Sequence, residues 1–93
     1  MNHKIAKRVY KDYDKLSSHI RAMAIEQIEN LKTAKCLTDL PNVKQMKGTN
    51  EPYYRMKFSD YRFMLYYDVE TNTVEVISLT HRKDTYKKQP ALA

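Results

Sequence analysis

Residues 53–69 read YYRMKFSDYRFMLYYDV, and the alternation of apolar and polar side chains in this stretch decides the fold. A period of two is typical of β-strands, and Ser59-Asp60 at the centre fits a tight turn between two antiparallel strands. With the turn at these two positions, Lys57 stands directly opposite Arg62, and residues paired in this way share a face of the sheet. The hairpin is therefore predicted to have one apolar face and one cationic face.

The apolar face of this hairpin is expected to form the core of the protein. Its six members are Tyr54, Met56, Phe58, Tyr61, Phe63 and Leu65. After a turn within residues 68–73, a further strand is predicted over 74–80, with a register that is open by one residue. We favour the register in which Ile77 and Leu79 face the core, because it buries the bulkier pair. In that register the cationic face also receives Ser78, Thr80 and Arg82.

Two helices are predicted before the sheet, since apolar residues recur there every three or four positions. The first stripe runs from Ala6 to Leu16 and the second from Ile20 to about Lys32. Between them, Ser17-Ser18 supplies hydroxyls suited to an N-cap. The two helices are expected to form an antiparallel hairpin that covers the apolar face.

The remaining segments offer little additional sheet. Residues 33–52 contain Pro41, Gly48 and Pro52, which favours a loop with one short edge strand near 43–47. Only residues 1–5 precede the first helix, so a strand there would be short or absent. The sequence thus predicts an α+β fold, in which an N-terminal helical hairpin packs on an antiparallel sheet of three or four strands.

Composition excludes several classes of function. The chain has 93 residues and a net charge of +6, which indicates one basic domain spanning 1–93. A single glycine excludes Gly-rich phosphate loops. The one cysteine and the three histidines are too far apart in the sequence to have the spacing of zinc ligands. No apolar run approaches the ~18 residues of a membrane span. We expect a cytoplasmic protein with no metal, no small-molecule cofactor and no membrane partner.

The cationic face is the candidate functional site. Lys57 opposite Arg62 is a repulsive cross-strand pair unless an anion relieves it. With Arg55 and Arg82 nearby, the favoured register collects four positive charges and no acid. The face is either a phosphate-binding site or a solvated strand surface carrying long, flexible side chains.

An ordered set of motifs resembles the signature of the RelE/ParE toxin superfamily, and the match covers nearly the whole chain. The motifs are Lys47-Gly48, residues 54–57, residues 60–66, His81-Arg82 and Tyr86. The resemblance implies the toxin of a type II toxin-antitoxin pair. For RelE-like members it also implies a metal-independent endoribonuclease that cleaves mRNA in the ribosomal A site. The expected partners are the ribosome, mRNA and an acidic antitoxin encoded by an adjacent gene.

The resemblance also assigns roles to individual residues. The family's catalytic positions fall at Arg55, Lys57, Arg62, Arg82 and Tyr86. Arg55 departs from the family's lysine, and an arginine stays protonated, so it can bind phosphate but cannot act as a base. Members of the YoeB type use a glutamate just before the Lys-Gly segment, where this chain has Lys44 and Gln45. A glutamate-based mechanism is therefore not expected.

Cleavage of RNA by its own 2′-hydroxyl needs a proton acceptor, cations that stabilise the phosphorane and a donor for the leaving oxygen. Lys57 is the candidate acceptor, because neighbouring cations disfavour its charged form. Either Arg82 or His81 could assist the leaving group, although strand parity turns His81 to the opposite face unless the strand ends at Thr80. Tyr86 could stack on a base. Further RNA contacts are expected from Lys47, Arg55, Arg62, Lys83 and Lys87.

Two alternatives share the same fold. A ParE-like inhibitor of DNA gyrase would act by binding and would not need the Lys57, Arg62 and Arg82 constellation. An inactive RNA-binding protein of RelE fold would keep the basic face without catalysis. Fold analogy alone does not choose among these functions.

Overall fold

The computed structural model describes residues 1–46 and 52–83 of the chain. Within these ranges the helices and strands are β1 (Asn2–Ile5), α1 (Lys7–Asp14), α2 (Ser18–Thr33), β2 (Val43–Gln45), β3 (Tyr53–Phe58), β4 (Tyr61–Asp68) and β5 (Thr73–His81). A short 3-10 turn at Leu37–Asp39 lies between α2 and β2. In this part of the chain, neither helix is long and apolar enough to cross a membrane.

The strands form one sheet in the order β1-β5-β4-β3-β2. β1 runs parallel to β5, whereas the other neighbours are antiparallel. The predicted α+β class is confirmed, with two consecutive helices packed on a mostly antiparallel sheet. The sheet has five strands where three or four were expected, because the short β1 and β2 both form. β1 is held mainly by backbone pairing with β5, a long-range interaction that leaves no periodic signal in its own sequence.

The helices begin and pack as their sequences predict. Ser17 caps α2, where its hydroxyl accepts a hydrogen bond from the backbone N–H of Ile20 at 3.4 Å. Val9 of α1 and Ala24 and Leu31 of α2 are buried against the sheet. The core cluster consists of Val9, Ala24, Leu31, Leu37, Met56, Phe58, Phe63, Leu65, Tyr67, Val74, Val76 and Leu79.

The central hairpin has the predicted register. Lys57 pairs with Arg62 and Met56 pairs with Phe63 across β3 and β4. Ser59 makes the turn with a positive φ of 52°. Of the predicted apolar face, Met56, Phe58, Phe63 and Leu65 are buried and Tyr54 and Tyr61 are partly buried. The two faces of the hairpin are therefore correctly assigned.

The predicted register of β5 is only partly correct. Leu79 pairs with Phe63 and is buried, as expected. Leu65, however, pairs with Val76, so Ile77 is the extra residue of a β-bulge and does not occupy the predicted core position. The bulge shifts the alternation by one residue, which simple parity cannot anticipate.

On the N-terminal side of the bulge, Val74 and Val76 supply the core contacts and are almost fully buried. On its C-terminal side, Ser78 pairs with Met64 and Thr80 pairs with Arg62. Both therefore lie on the cationic face, as predicted. The bulge lets one strand present small valines to the core at one end and polar residues to the site at the other.

Candidate functional site

Two pairs of like charges lie side by side on the open face of the sheet. Lys57 of β3 pairs with Arg62 of β4, and Arg55 of β3 pairs with Lys44 of β2. Each directly opposed pair of cations destabilises a sheet by about 0.2–1 kcal/mol unless an anion lies between them. The sheet thus holds four positive charges together at a cost in stability.

These four cations line a groove of about 450 Å³, here called the cationic groove. Its lining consists of Pro41, Asn42, Lys44, Arg55, Lys57, Phe58, Ser59 and Arg62. Among these described residues there is no carboxylate, so the groove has no internal counter-charge. A cluster of this kind attracts phosphate groups strongly because its field is not neutralised locally.

Arg62 carries an unpartnered donor. Its Nη1 atom is buried, yet within residues 1–46 and 52–83 no acceptor forms a hydrogen bond with it. A buried polar atom without a partner costs about 1–3 kcal/mol, and more when the group is charged. An anion in the groove could supply the missing interaction with this guanidinium group, which is suited to bidentate binding of phosphate.

Asn42 fixes the position of β3 beside the groove. Its Nδ2 atom donates to the carbonyl oxygen of Lys57 at 2.8 Å and to Oε1 of Gln27 at 2.7 Å. Its own carbonyl accepts the backbone N–H of Lys57 at 3.0 Å. The backbone that carries Lys57 is therefore tied to α2 through one asparagine side chain.

Ser59, which lines the cationic groove, has an unfavourable backbone conformation. Its φ of 52° lies in the left-handed region, which costs a residue with a Cβ atom about 1 kcal/mol. Strained residues tend to be found at functional sites, where the surrounding structure holds them in place. The strained residue is in the turn that connects β3 to β4, and the conformation of this turn sets the register that places Lys57 opposite Arg62.

Arg82 lies just beyond the end of β5 and outside the lining of the cationic groove. Its backbone N–H donates to the carbonyl of Asp60 at 2.7 Å, and its Nε is 3.8 Å from Oδ1 of Asp60. Both side chains are 60% exposed, so water screens this ion pair. The expectation that no acid accompanies the four predicted cations is wrong here, because the hairpin turn brings Asp60 to Arg82.

His81 lies on the opposite side of the sheet from Lys57. It pairs with Tyr61, and the two rings meet edge to face with centroids 5.1 Å apart. Its Nδ1 accepts the backbone N–H of Lys83 at 3.1 Å. β5 continues through His81, so strand parity carries this side chain away from the cationic groove.

Of the other predicted RNA contacts, Lys83 follows β5 and is exposed. Lys47, Tyr86 and Lys87 lie outside the described residues, and their predicted roles stay predictions. In the described part of the chain, no group of three or more His, Cys, Asp or Glu side chains could hold a metal ion.

Sequence reasoning missed Lys44 and Asn42 as members of the site. The alternation Val43-Lys44 carried a weak strand signal, but only the pairing of β2 with β3 shows that Lys44 opposes Arg55. Asn42 has no periodic signature, because its role depends on contacts with residues 15 positions away on either side.

Comparison with known proteins gives matches at the level of structure. No protein-family model matches the sequence, and no curated protein matches it. A chain of the RelB–RelE antitoxin–toxin complex from Methanococcus jannaschii has a TM-score of 0.76 and 26% identity, covering 94% of this chain and 99% of that chain.

Two further solved structures show the same fold. The isolated E. coli RelE toxin has a TM-score of 0.61 and 21% identity, covering 94% of this chain and 96% of that chain. A YoeB/ParE toxin from Agrobacterium tumefaciens has a TM-score of 0.64 and 18% identity, covering 87% of this chain and 98% of that chain. Over nearly its whole length, this chain therefore has the fold of RelE-type toxins, and its ordered motifs resemble the signature of the RelE/ParE toxin superfamily.

Proposed function

We propose that this protein is the toxin of a type II toxin-antitoxin pair and acts as a ribosome-dependent endoribonuclease on mRNA in the cytoplasm. The observation that carries the proposal is the cationic groove. Four cations line it without a carboxylate, and one of them, Arg62, has a buried nitrogen atom without a partner in the described part of the chain. A groove of this charge, on an open sheet of RelE-like fold, suits a transition state that gains negative charge at phosphorus.

In the proposed reaction, the 2′-hydroxyl of one nucleotide attacks the adjacent phosphate. Lys57 in its neutral form accepts the hydroxyl proton, and its exposed side chain can reach RNA laid along the sheet. Arg62 and Arg55 bind the non-bridging oxygens and stabilise the dianionic phosphorane. Arg55 serves only in binding, because a guanidinium group keeps its proton near neutral pH and cannot act as a base.

The second half of the reaction breaks the bond between phosphorus and the 5′-oxygen of the next nucleotide. The products are a 2′,3′-cyclic phosphate and a 5′-hydroxyl, which takes its proton from water. Arg82 stabilises the negative charge that develops on the leaving oxygen. In this scheme His81 is not used, since it packs against Tyr61 on the other side of the sheet.

The proposed partner is an acidic antitoxin encoded by an adjacent gene. The two like-charge pairs on the open face would be relieved by carboxylates from a bound protein segment, as well as by RNA. One similar chain comes from a RelB–RelE antitoxin–toxin complex. Co-expression with each neighbouring gene product, followed by purification, tests this partner. A chain that is harmless when expressed alone and binds neither neighbour would contradict the toxin assignment.

The activity is tested by brief induced expression followed by mapping of mRNA 5′ ends. The same mapping is repeated with a transcript whose start codon has been removed, and with the Arg62→Ala variant. New 5′ ends in the translated transcript alone, absent with Arg62→Ala, are the expected result. Intact mRNA together with inhibited gyrase supercoiling would favour a ParE-like inhibitor. Intact mRNA and normal growth would favour an inactive RNA-binding protein.

A further inference from the structure

The open face of the sheet changes character along the β3–β4 hairpin. Four paired positions beyond Lys57 and Arg62, the same face presents Tyr53 opposite Tyr66. Their rings meet edge to face, with centroids 5.4 Å apart and an interplanar angle of 78°. The cationic groove is therefore followed, on one continuous surface, by a pair of aromatic rings.

Tyr66 is one of the few large aromatic side chains exposed in the described part of the molecule, at 38%. An edge-to-face contact occupies at most one face of a ring, so the pair leaves aromatic surface open to solvent. Cross-strand packing with Tyr53 accounts for the position of Tyr66 but not for its exposure. A free aromatic face next to a phosphate-attracting groove is the usual arrangement for binding single-stranded nucleic acid.

Beyond Tyr66 the face becomes acidic. Tyr66 pairs with Glu75 of β5, and Asp68 follows at the end of β4. Both carboxylates line a second groove, together with Tyr66 and Lys4. With two carboxylates and one lysine in its lining, this groove attracts phosphate groups far less than the cationic groove does. A strand bound in the cationic groove would therefore leave the sheet near Tyr66 and place a base there.

The distance along the sheet agrees with this arrangement. Lys57 and Tyr53 are four residues apart on one strand, which separates their side-chain rows by about 13 Å. A single strand of RNA spans this distance within a few nucleotides of the phosphate held by Lys57 and Arg62. Every base has a flat face, so stacking on Tyr66 requires no particular sequence.

We propose that Tyr66, supported edge-on by Tyr53, is a stacking platform for one base of the RNA strand whose phosphates occupy the cationic groove. This inference rests on the proposed function, because it assigns a second subsite to the same substrate. Tyr66 is a binding residue in this role, and it takes no part in the chemical step.

The test asks whether the ring of Tyr66 interacts with one particular base of the RNA, by removing the ring and the base separately and together. The RNA is a hexamer with every 2′-hydroxyl methylated, which prevents cleavage, and its bases are removed one at a time to leave abasic positions. Binding is measured for the free hexamer at low salt, and for ribosomes programmed with mRNA carrying the same methylated sequence at the A site. The proteins are the parent, Tyr66→Ala, Tyr66→Phe and, as a control, Tyr10→Ala, whose side chain is 56% exposed on α1.

One abasic position is expected to weaken binding by the parent about tenfold, and to have little further effect on Tyr66→Ala. Tyr66→Phe should bind like the parent, because stacking needs the ring and not the hydroxyl. Tyr10→Ala should also match the parent. Equal losses for the parent and Tyr66→Ala at every abasic position, or no binding by the parent in either arm, would overturn the platform.

Failure of the platform and failure of the proposed function give different results. If ribosome-dependent cleavage occurs but no base is coupled to Tyr66, the endoribonuclease stands and the platform is wrong. If the hexamer binds with the expected coupling but mRNA is never cleaved, the platform stands and the proposed reaction is wrong.

Discussion

Asn42 holds both polar backbone groups of Lys57: its side-chain amide donates to the Lys57 carbonyl at 2.8 Å, and its backbone carbonyl accepts the Lys57 N–H at 3.0 Å. The same side chain is anchored to Gln27 of α2. The backbone that carries Lys57, the proposed proton acceptor, is therefore positioned by α2. The helices nevertheless cover one face of the sheet, and the Lys57 side chain lies on the other.

Replacing Asn42 by alanine should reduce kcat about ten- to a hundredfold while KM for programmed ribosomes stays close to the parental value, because Lys57 loses its alignment and the groove keeps its charge. Stability should fall by about 1–2 kcal/mol for the lost side-chain hydrogen bonds. Gln27→Ala removes only the anchor on α2 and should have a smaller effect on kcat. A change confined to KM would contradict the positioning role.

Replacing Lys57 by arginine keeps the positive charge but removes a group that can accept a proton. Cleavage in single-turnover assays on ribosomes should fall by about a hundredfold or more, with binding retained. Lys11→Arg on the exposed side of α1 is the matched control and should cleave normally. Near-parental cleavage by Lys57→Arg would reduce Lys57 to a phosphate contact and leave the catalysis to the arginines.

Replacing Arg82 by alanine should abolish growth arrest and leave the melting temperature almost unchanged. The side chain is 60% exposed and its ion pair with Asp60 is screened, so its loss costs little stability. Arg8→Ala, an exposed arginine on α1, controls for the loss of one positive charge. Growth arrest by Arg82→Ala that equals the parent's would remove Arg82 from the mechanism.

Replacing His81 by glutamine tests the alternative proton donor. We expect cleavage near the parental rate, because the imidazole packs against Tyr61 on the side away from the groove. Rates are compared at saturating ribosome concentration, with folding checked by circular dichroism. A loss of about a hundredfold in a folded His81→Gln protein would assign general-acid catalysis to this residue and require it to turn toward the groove.

Replacing Phe63 by alanine should destabilise the protein by about 3–5 kcal/mol, measured by urea denaturation. Phe63 is 1% exposed and stacks on Phe58 with ring centroids 5.2 Å apart. Val69→Ala is the control, since Val69 is 70% exposed and should change stability little. An unchanged denaturation midpoint for Phe63→Ala would mean that the two faces of the sheet are assigned the wrong way round.

The sequence alone was sufficient for the central hairpin and both helices. The alternation in residues 53–69 carried the pairing of Lys57 with Arg62, because a two-residue turn leaves no freedom of register. Ser17 marked the start of α2 for a similarly local reason, since its hydroxyl caps a backbone N–H three residues later. Features of this kind depend on neighbours within one turn or one hairpin.

The tertiary structure decided everything that depends on distant partners. β1 forms because β5 lies beside it, and the bulge at Ile77 exists because β5 must pair with β4 along its whole length. Lys44 joins the site because β2 pairs with β3, and Asn42 positions Lys57 because α2 lies within reach of its side chain. Local sequence sets side-chain periodicity, but the pairing of separate strands is settled only by the free energy of the assembled sheet and core.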